Sequence, residues 1–230
     1  LNCNYKLKIP VKKESYRHNL PHFQQPGQAY FVTWILKDAV PPKAFSNYTE
    51  ALQHLKNQIE LHKQKKSEKP VIEKLQKEHY SLQKKYIKAF DDLLAVSRNN
   101  EVDLSKPENF KIIGDALHFW NNRKLKNIAY SIMPNHVHWV LELFQKDENE
   151  NPVYLQDILK SVKRHTAREI NLREGRSGNL WQKESFDTTI RNEMHLYNAV
   201  EYTLNNPVNA GLVNNRDEWP GNFLCNDWDR

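Results

Sequence analysis

Two histidines one residue apart, His136 and His138, lie in the run Tyr130-Ser-Ile-Met-Pro-Asn-His-Val-His-Trp-Val-Leu-Glu-Leu143. A β-strand turns alternate side chains to one face, so both imidazoles project together while Val137, Trp139 and Leu141 face the other way. Two imidazoles held like this can share one divalent metal. An isolated pair more often marks plain surface or core histidines, so the chemistry needs partners elsewhere. Far downstream, Tyr202 and Asn206 are four residues apart and therefore neighbours on one face of a helix. If that face meets the histidine strand, Asn206 offers its carbonyl oxygen as a third ligand and Tyr202 presents its hydroxyl to a substrate. A phenol ionises only near a pH of about 10, so it attacks at neutral pH only where a positive neighbour favours the phenolate. A metal on a phosphodiester oxygen gives that help by drawing charge from phosphorus. Two imidazoles and an amide suit Mg²⁺ or Mn²⁺, the imidazoles tilt the choice toward Mn²⁺, and zinc also fits. Tyr197 is the rival nucleophile, but it sits on another part of the helix and lacks an Asn four residues on.

These residues need a scaffold, and the pattern of apolar residues supplies one. Residues 30–36 (YFVTWIL) are β-branched and aromatic and read as a strand, ended by Pro41-Pro42. Residues 17–27 before it read as an irregular lead-in. From about 48 to 100 glycine disappears, and Ile72, Leu75, His79, Leu82, Tyr86, Ala89 and Leu93 form a heptad seam, with Leu52, Leu55 and Ile59 beginning another upstream. The break at Ser67-Glu-Lys-Pro70 makes this an antiparallel helical hairpin, either a solvated insertion or an arm for DNA or for oligomerisation. Ser105-Lys-Pro-Glu108 has capping-box spacing and opens a helix to about residue 122. Strands over 128–133 and 136–144 follow, joined at Pro134-Asn135. A helix over 155–173 carries an apolar stripe of Leu155, Ile158, Leu159, Val162 and Ile170. On another face Lys160, Arg164 and Arg168 recur every fourth residue, flanked by Lys163. They read either as phosphate contacts or as a solvated face. Trp181 reads as core or as a base-stacking platform. A strand over 184–190 and a helix over 193–205, stopped by Asn206-Pro207, complete the order. The expected fold is α+β: a ferredoxin-like antiparallel sheet with helices on one face, residues 1–47 and 101–230, plus an inserted helical hairpin at 48–100.

Composition narrows the partners. The 230 residues suffice for one sizeable core. Net charge is +6, divided as +5 over residues 1–49, +4 over 50–100 and −3 over 101–230. The local basic excess on the 155–173 helix therefore stands out against an acidic background. Cys3 and Cys225 lie near the two ends without metal-site spacing, which points away from a disulfide framework or a thiolate metal centre. No run approaches a membrane span or a signal peptide, so a cytoplasmic protein, nucleoid-associated when on DNA, with no membrane partner, is expected. The chain begins on Leu1 rather than Met, which leaves room for residues before it.

The stretch Met133-Pro-Asn-His-Val-His138, followed by Ser177-Gly-Asn-Leu-Trp-Gln-Lys-Glu-Ser-Phe-Asp187, Ile190-Arg-Asn-Glu193 and Tyr202-Thr-Leu-Asn-Asn-Pro-Val-Asn-Ala-Gly-Leu-Val213, resembles the REP-associated tyrosine transposases. These are the single-tyrosine branch of the HUH (His-hydrophobe-His) nucleases. The lead-in Arg17-His-Asn-Leu-Pro-His-Phe-Gln-Gln-Pro-Gly27 with Tyr30-Phe-Val-Thr33 resembles their amino-terminal signature. The resemblance implies that His136, His138 and Asn206 hold a divalent metal, Mg²⁺ or Mn²⁺, and that Tyr202 is the nucleophile. It implies cleavage and rejoining of single-stranded DNA at hairpin-forming palindromic repeats, through a 5′-phosphotyrosine and a free 3′-OH. A non-catalytic binder of hairpin or repeat DNA is the alternative, and monomer and homodimer both stay open. Two departures stand beside the resemblance: Asn209 occupies a position that is often basic in the family, and the 48–100 insertion is larger than the family leads one to expect.

Overall fold

The computed structural model describes residues 14–17, 21–40, 46–65, 68–96, 100–183 and 185–228. Cys3, the Pro41-Pro42 pair, Ser67 and Glu184 lie outside the described residues. Two compact units form, one from residues up to Lys37 together with those from Glu101 on, the other from Asp38–Asn100.

The larger unit is built on a five-stranded sheet in the order β6-β3-β5-β4-β7, every neighbour antiparallel. Its members are β3 (Ala29–Ile35), β4 (Leu125–Ile132), β5 (His136–Leu143), β6 (Phe186–Thr189) and β7 (Asn222–Leu224). Helix α3 (Pro107–His118) precedes β4, and α4 (Leu155–Arg173) connects β5 to β6. The first four strands and these two helices give the β-α-β-β-α-β order of a ferredoxin-like fold, as expected from the sequence. Helix α5 (Glu193–Asn209) and β7 are additions to it. A separate antiparallel pair, β1 (Glu14–Arg17) with β2 (Pro21–Gln24), occupies the lead-in read as irregular. Pro21 begins its strand, a position where the missing N–H is tolerated.

The faces of the sheet follow from residue parity. Trp34, Trp139, Tyr130 and Leu141 point to one side, where Trp34 packs edge-on against Trp139 and Trp181. The Trp181 indole donates to Thr166 Oγ1 on α4 at 2.9 Å, and Tyr130 meets His118 of α3. Trp181 is thus a core residue. Phe31, Ala129 and Val140 point to the other side, and α5 covers them with Ala199, Val200 and Leu204. The single helical layer expected from the sequence is therefore true of α3 and α4 but not of α5. The physical reason is that the histidine face is apolar over half its length, and burying that half is more favourable than leaving it wet.

Three local expectations also change. Lys106, not Ser105, precedes α3, with no side-chain cap; Ser105 hydrogen-bonds Asp103 instead, and Pro107 starts the helix where its missing N–H costs nothing. Helix α5 runs through Asn206-Pro207 to Asn209 rather than stopping there. Asn222 Nδ2 donates to Leu204 O at 2.9 Å, tying the last turns of α5 to the segment that leads into β7. Strand β7, which pairs with β4, is absent from the sequence expectation, because three residues give no periodicity to read.

In the smaller unit α1 (Ser46–Gln64) and α2 (Lys69–Val96) pack against one another. Leu52, Leu55, Ile59, Ile72, Leu75, Leu82 and Leu93 are half-buried, as a seam between two helices requires. Among the described residues no helix is long and apolar enough to cross a membrane.

Candidate active site

The histidine strand β5 is the central strand of the sheet. Its partner β3 places Thr33 opposite His138 and Ile35 opposite His136, and β4 places Ser131 opposite His138. His136 follows the Pro134-Asn135 turn directly, and Met133 N donates to His136 O at 2.8 Å to close it. Both imidazoles are buried, and their Nε2 atoms lie 3.1 Å apart with the rings at 77°. Each Nδ1 has its own partner at 2.7 Å: Asn135 Oδ1 for His136 and Thr33 Oγ1 for His138.

Helix α5 closes the site within the same chain. Asn192 caps it by accepting from His195 N at 2.8 Å, and its apolar side anchors on Val140 and Ile190. Arg216 Nη1 reaches both carboxylate oxygens of Glu201 at 3.0 Å, while Asn205 donates to Glu201 O, so the turn bearing Tyr202 is held from its outer side as well. That docking sets the Tyr202 ring 5.4 Å from the His138 ring and edge-on to Phe31 at 5.6 Å. Phe31 in turn stacks on His138. One turn further on, buried Asn206 hydrogen-bonds His136.

Burial lowers the pKa of His136 from 6.5 to about 3, its hydrogen bond to Asn206 working the other way. His138 is also held well below its ordinary value, by burial and then by His136 beside it. Both rings are therefore neutral at neutral pH and have lone pairs to give. The 3.1 Å gap between the Nε2 atoms is short enough for one ion at the usual imidazole–metal distance of about 2.1 Å to touch both. Among the described residues no group of three His, Cys, Asp or Glu could hold a metal. A third protein ligand would accordingly be the neutral Asn206 amide, and the donor set suits a hard or borderline divalent ion with positions left open.

The cationic residues fall elsewhere. Lys160, Arg164 and Arg168 are exposed and line an open groove along α4 together with Asp157, Ser161 and His165. Arg168 is also paired with Glu169. Lys163 turns away from this row and donates to Gln182 O at 2.7 Å and Ser185 Oγ at 3.0 Å, tying α4 to the segment before β6. Because α4 packs on the tryptophan face, the cationic row and the Tyr202 site lie on opposite sides of the sheet. Tyr197 is half exposed on α5 and is not among the residues at the histidine pair. Sequence reasoning misses Thr33 and Asn135. Asn135 has a signal, as the turn residue next to His136; Thr33 reaches the site only through strand pairing between residues 105 positions apart.

No family model matches the chain. A protein of Haemophilus influenzae named "Putative REP-associated tyrosine transposase" is 27% identical over 99 residues, 41% of this chain and 56% of that protein. The chain thus spans little more than half the length of the curated relative it matches. A solved structure of a REP-associated tyrosine transposase bound to a REP hairpin aligns over 91% of this chain and 81% of its own, with 14% identity and a TM-score of 0.46. The curated match and the ordered motifs together make this chain similar in sequence to the REP-associated tyrosine transposases.

Proposed function

We propose that the protein is a DNA strand-transferase that cleaves and rejoins single-stranded DNA beside hairpin-forming palindromic repeats. The observation that carries this reading is the convergence of Tyr202 and Asn206, neighbours on one helix face, upon the paired imidazoles of His138 and His136. The name of the curated relative supports the same class of reaction.

Tyr202 supplies the nucleophilic oxygen. It forms a bond to phosphorus, the bond to the 3′ oxygen breaks, and the proton lost by the phenol balances the one gained by the departing 3′-OH. The resulting 5′-phosphotyrosine is an ester like the one consumed, so a 3′-OH can reverse the step without an external energy source. His136, His138 and Asn206 would hold a Mg²⁺ or Mn²⁺ ion, which when bound supplies Lewis-acid polarisation of the phosphodiester. Phe31 and His138 fix the tyrosine ring, and the docked α5 fixes its height above the strand. Such positioning is a large part of what an enzyme contributes to an in-line displacement. Lys160, Arg164 and Arg168 provide an electrostatic surface for the phosphate backbone, with Lys163 serving chiefly to brace α4.

The test is a hairpin oligonucleotide with single-stranded flanks, incubated with the protein and Mn²⁺ and resolved under denaturing conditions. We expect a covalent protein–DNA adduct that EDTA prevents. Tyr202→Phe should lose it while still shifting the hairpin in a native gel, and Tyr197→Phe should keep it. An adduct that persists in Tyr202→Phe would remove the tyrosine from its role. Hairpin binding without an adduct under any divalent ion would favour the non-catalytic DNA-binding alternative.

A further inference from the structure

The turn that joins α3 to β4, residues 119–124, carries a cluster of rings and cations that the Tyr202 site does not use. Phe119 is 53% exposed, the most exposed aromatic ring among the described residues. A lone exposed ring is ordinary, but the company of this one is not. Trp120 meets it edge-on with ring centroids 4.6 Å apart. The guanidinium carbon of Arg123 lies 4.5 Å from the Phe119 centroid and 5.6 Å from that of Trp120, and Lys124 Nζ lies 4.8 Å from the Trp120 ring. Lys124 is paired with Asp147 at 3.1 Å, whereas exposed Arg123 has no carboxylate partner among the described residues. The turn is also stiff. Trp120 O accepts from Arg123 N at 3.1 Å and Lys124 N at 3.0 Å, and Asn122 takes φ 61°, a left-handed conformation that asparagine tolerates. Arg123 Nη2 donates to Phe119 O at 2.6 Å, which holds the guanidinium at the ring. Finally, Trp120 Nε1 donates to Ser161 Oγ at 3.4 Å, and Ser161 lines the α4 groove with Lys160, Arg164 and Arg168. The cluster therefore abuts that groove.

We propose that Phe119 and Arg123 form a stacking site for one unpaired base of a single-stranded DNA whose backbone lies along the α4 groove. Trp120 is the wall that joins this site to the groove at Ser161. A ring face and a guanidinium plane stack on any base, and the charge of Arg123 serves the adjoining phosphate. A double helix keeps its base faces stacked on one another, so the site takes unpaired strand. The cationic row on α4 cannot make that distinction, because phosphates are common to both forms. This inference rests on the reading of the α4 row as a DNA surface and adds the residues that would tell a single-stranded flank from a paired stem.

Binding is measured by fluorescence anisotropy on the full chain carrying Tyr202→Phe, with EDTA present, so that neither cleavage nor a metal enters the result. The probes are an oligothymidylate and a blunt duplex with the same number of phosphates. Phe119→Leu keeps the apolar bulk and removes the ring face. It should weaken oligothymidylate binding by about 5- to 150-fold, the range for losing one aromatic–base stack, and change duplex binding by less than about twofold. The slope of log affinity against log salt should stay the same, since no phosphate contact is lost. Arg123→Lys keeps the charge but not the plane, and should also weaken the oligothymidylate more than the duplex. A second measurement needs no variant: irradiation of the wild-type chain on an iodouracil-substituted oligothymidylate should give a crosslink within residues 119–123. Oligothymidylate binding by Phe119→Leu equal to that of its parent, an equal loss on the duplex, or crosslinks confined to other segments overturns the stacking site while leaving the DNA reading standing. A chain that binds neither probe nor a hairpin with single-stranded flanks overturns both.

Discussion

Asp, Glu and Cys are the usual anionic ligands of a protein metal site, and among the described residues no such group joins the buried pair here. In the proposed reaction, two neutral imidazoles and a neutral amide would leave the full charge of a bound divalent ion available to a phosphodiester, which would suit a tyrosine that is a weak nucleophile at neutral pH. The same burial has a cost that can be measured without DNA or metal. In the unfolded chain these histidines protonate near 6.5, whereas in the folded chain His136 does so only near 3 and His138 also far below its ordinary value. Between those limits the unfolded state binds more protons, so stability falls as pH is lowered through the window and recovers as it is raised. The metal-free protein should accordingly show a urea midpoint that drops from about pH 7 to about pH 5, and His136→Gln with His138→Gln should flatten that dependence. A double variant whose midpoint falls with pH as steeply as wild type would show that the two rings are not the buried neutral groups described.

At the level of elements, the site depends on how α5 and the segment after it close against the sheet. Gly221 lies where an added Cβ would come within 2.5 Å of Ile132 O on β4 and 2.8 Å of the Phe110 ring, and Ile132 N also donates to Gly221 O at 2.9 Å. Backbone on both sides of this contact leaves little to yield. Gly221→Ala should therefore destabilise the protein by about 1–3 kcal/mol, the usual range for overpacking, as read by chemical denaturation. A destabilisation below about 0.5 kcal/mol, the level of ordinary surface substitutions, would mean that β7 docks more loosely than this close approach requires. The contrast with α4 shows what can be read from sequence. The apolar stripe from Leu155 to Ile170 specifies α4 fully, and alternation around His136 specifies β5 and the common direction of its imidazoles. The end of α5 is misread because Asn206-Pro207 has the local signature of a stop, while the contact of Asn222 with Leu204 O that holds these last turns comes from the chain eighteen residues beyond Leu204. Tyr202 and Asn206 are found by their spacing, but Thr33 cannot be, since only strand pairing brings it to His138.

At the scale of the molecule, the sheet separates two chemistries. Tyr202 and the histidines lie on the face covered by α5, and Lys160, Arg164 and Arg168 lie on the outer side of α4, across the sheet. This division is not visible in the sequence, where both helices simply read as amphipathic. In the proposed reaction it makes recognition of the phosphate backbone and strand cleavage separable, with a DNA that uses both surfaces passing around the sheet rather than along one face of it. Replacing Lys160, Arg164 and Arg168 together by Gln should weaken hairpin binding and reduce the slope of log affinity against log salt by about 2 to 3, at roughly 0.7–0.9 for each phosphate no longer neutralised. The reduction should fall toward the lower end, because Glu169 already neutralises part of the Arg168 charge. These side chains are exposed, so the free energy of unfolding should change by less than the free energy of binding does. Separation across the sheet adds a sharper expectation: in a double-mutant cycle on binding, the triple change and Tyr202→Phe should be additive within about 0.5 kcal/mol, as independent sites are. An unchanged salt slope would make the α4 row a solvated face, and strong coupling in the cycle would place the DNA against both surfaces through one continuous contact.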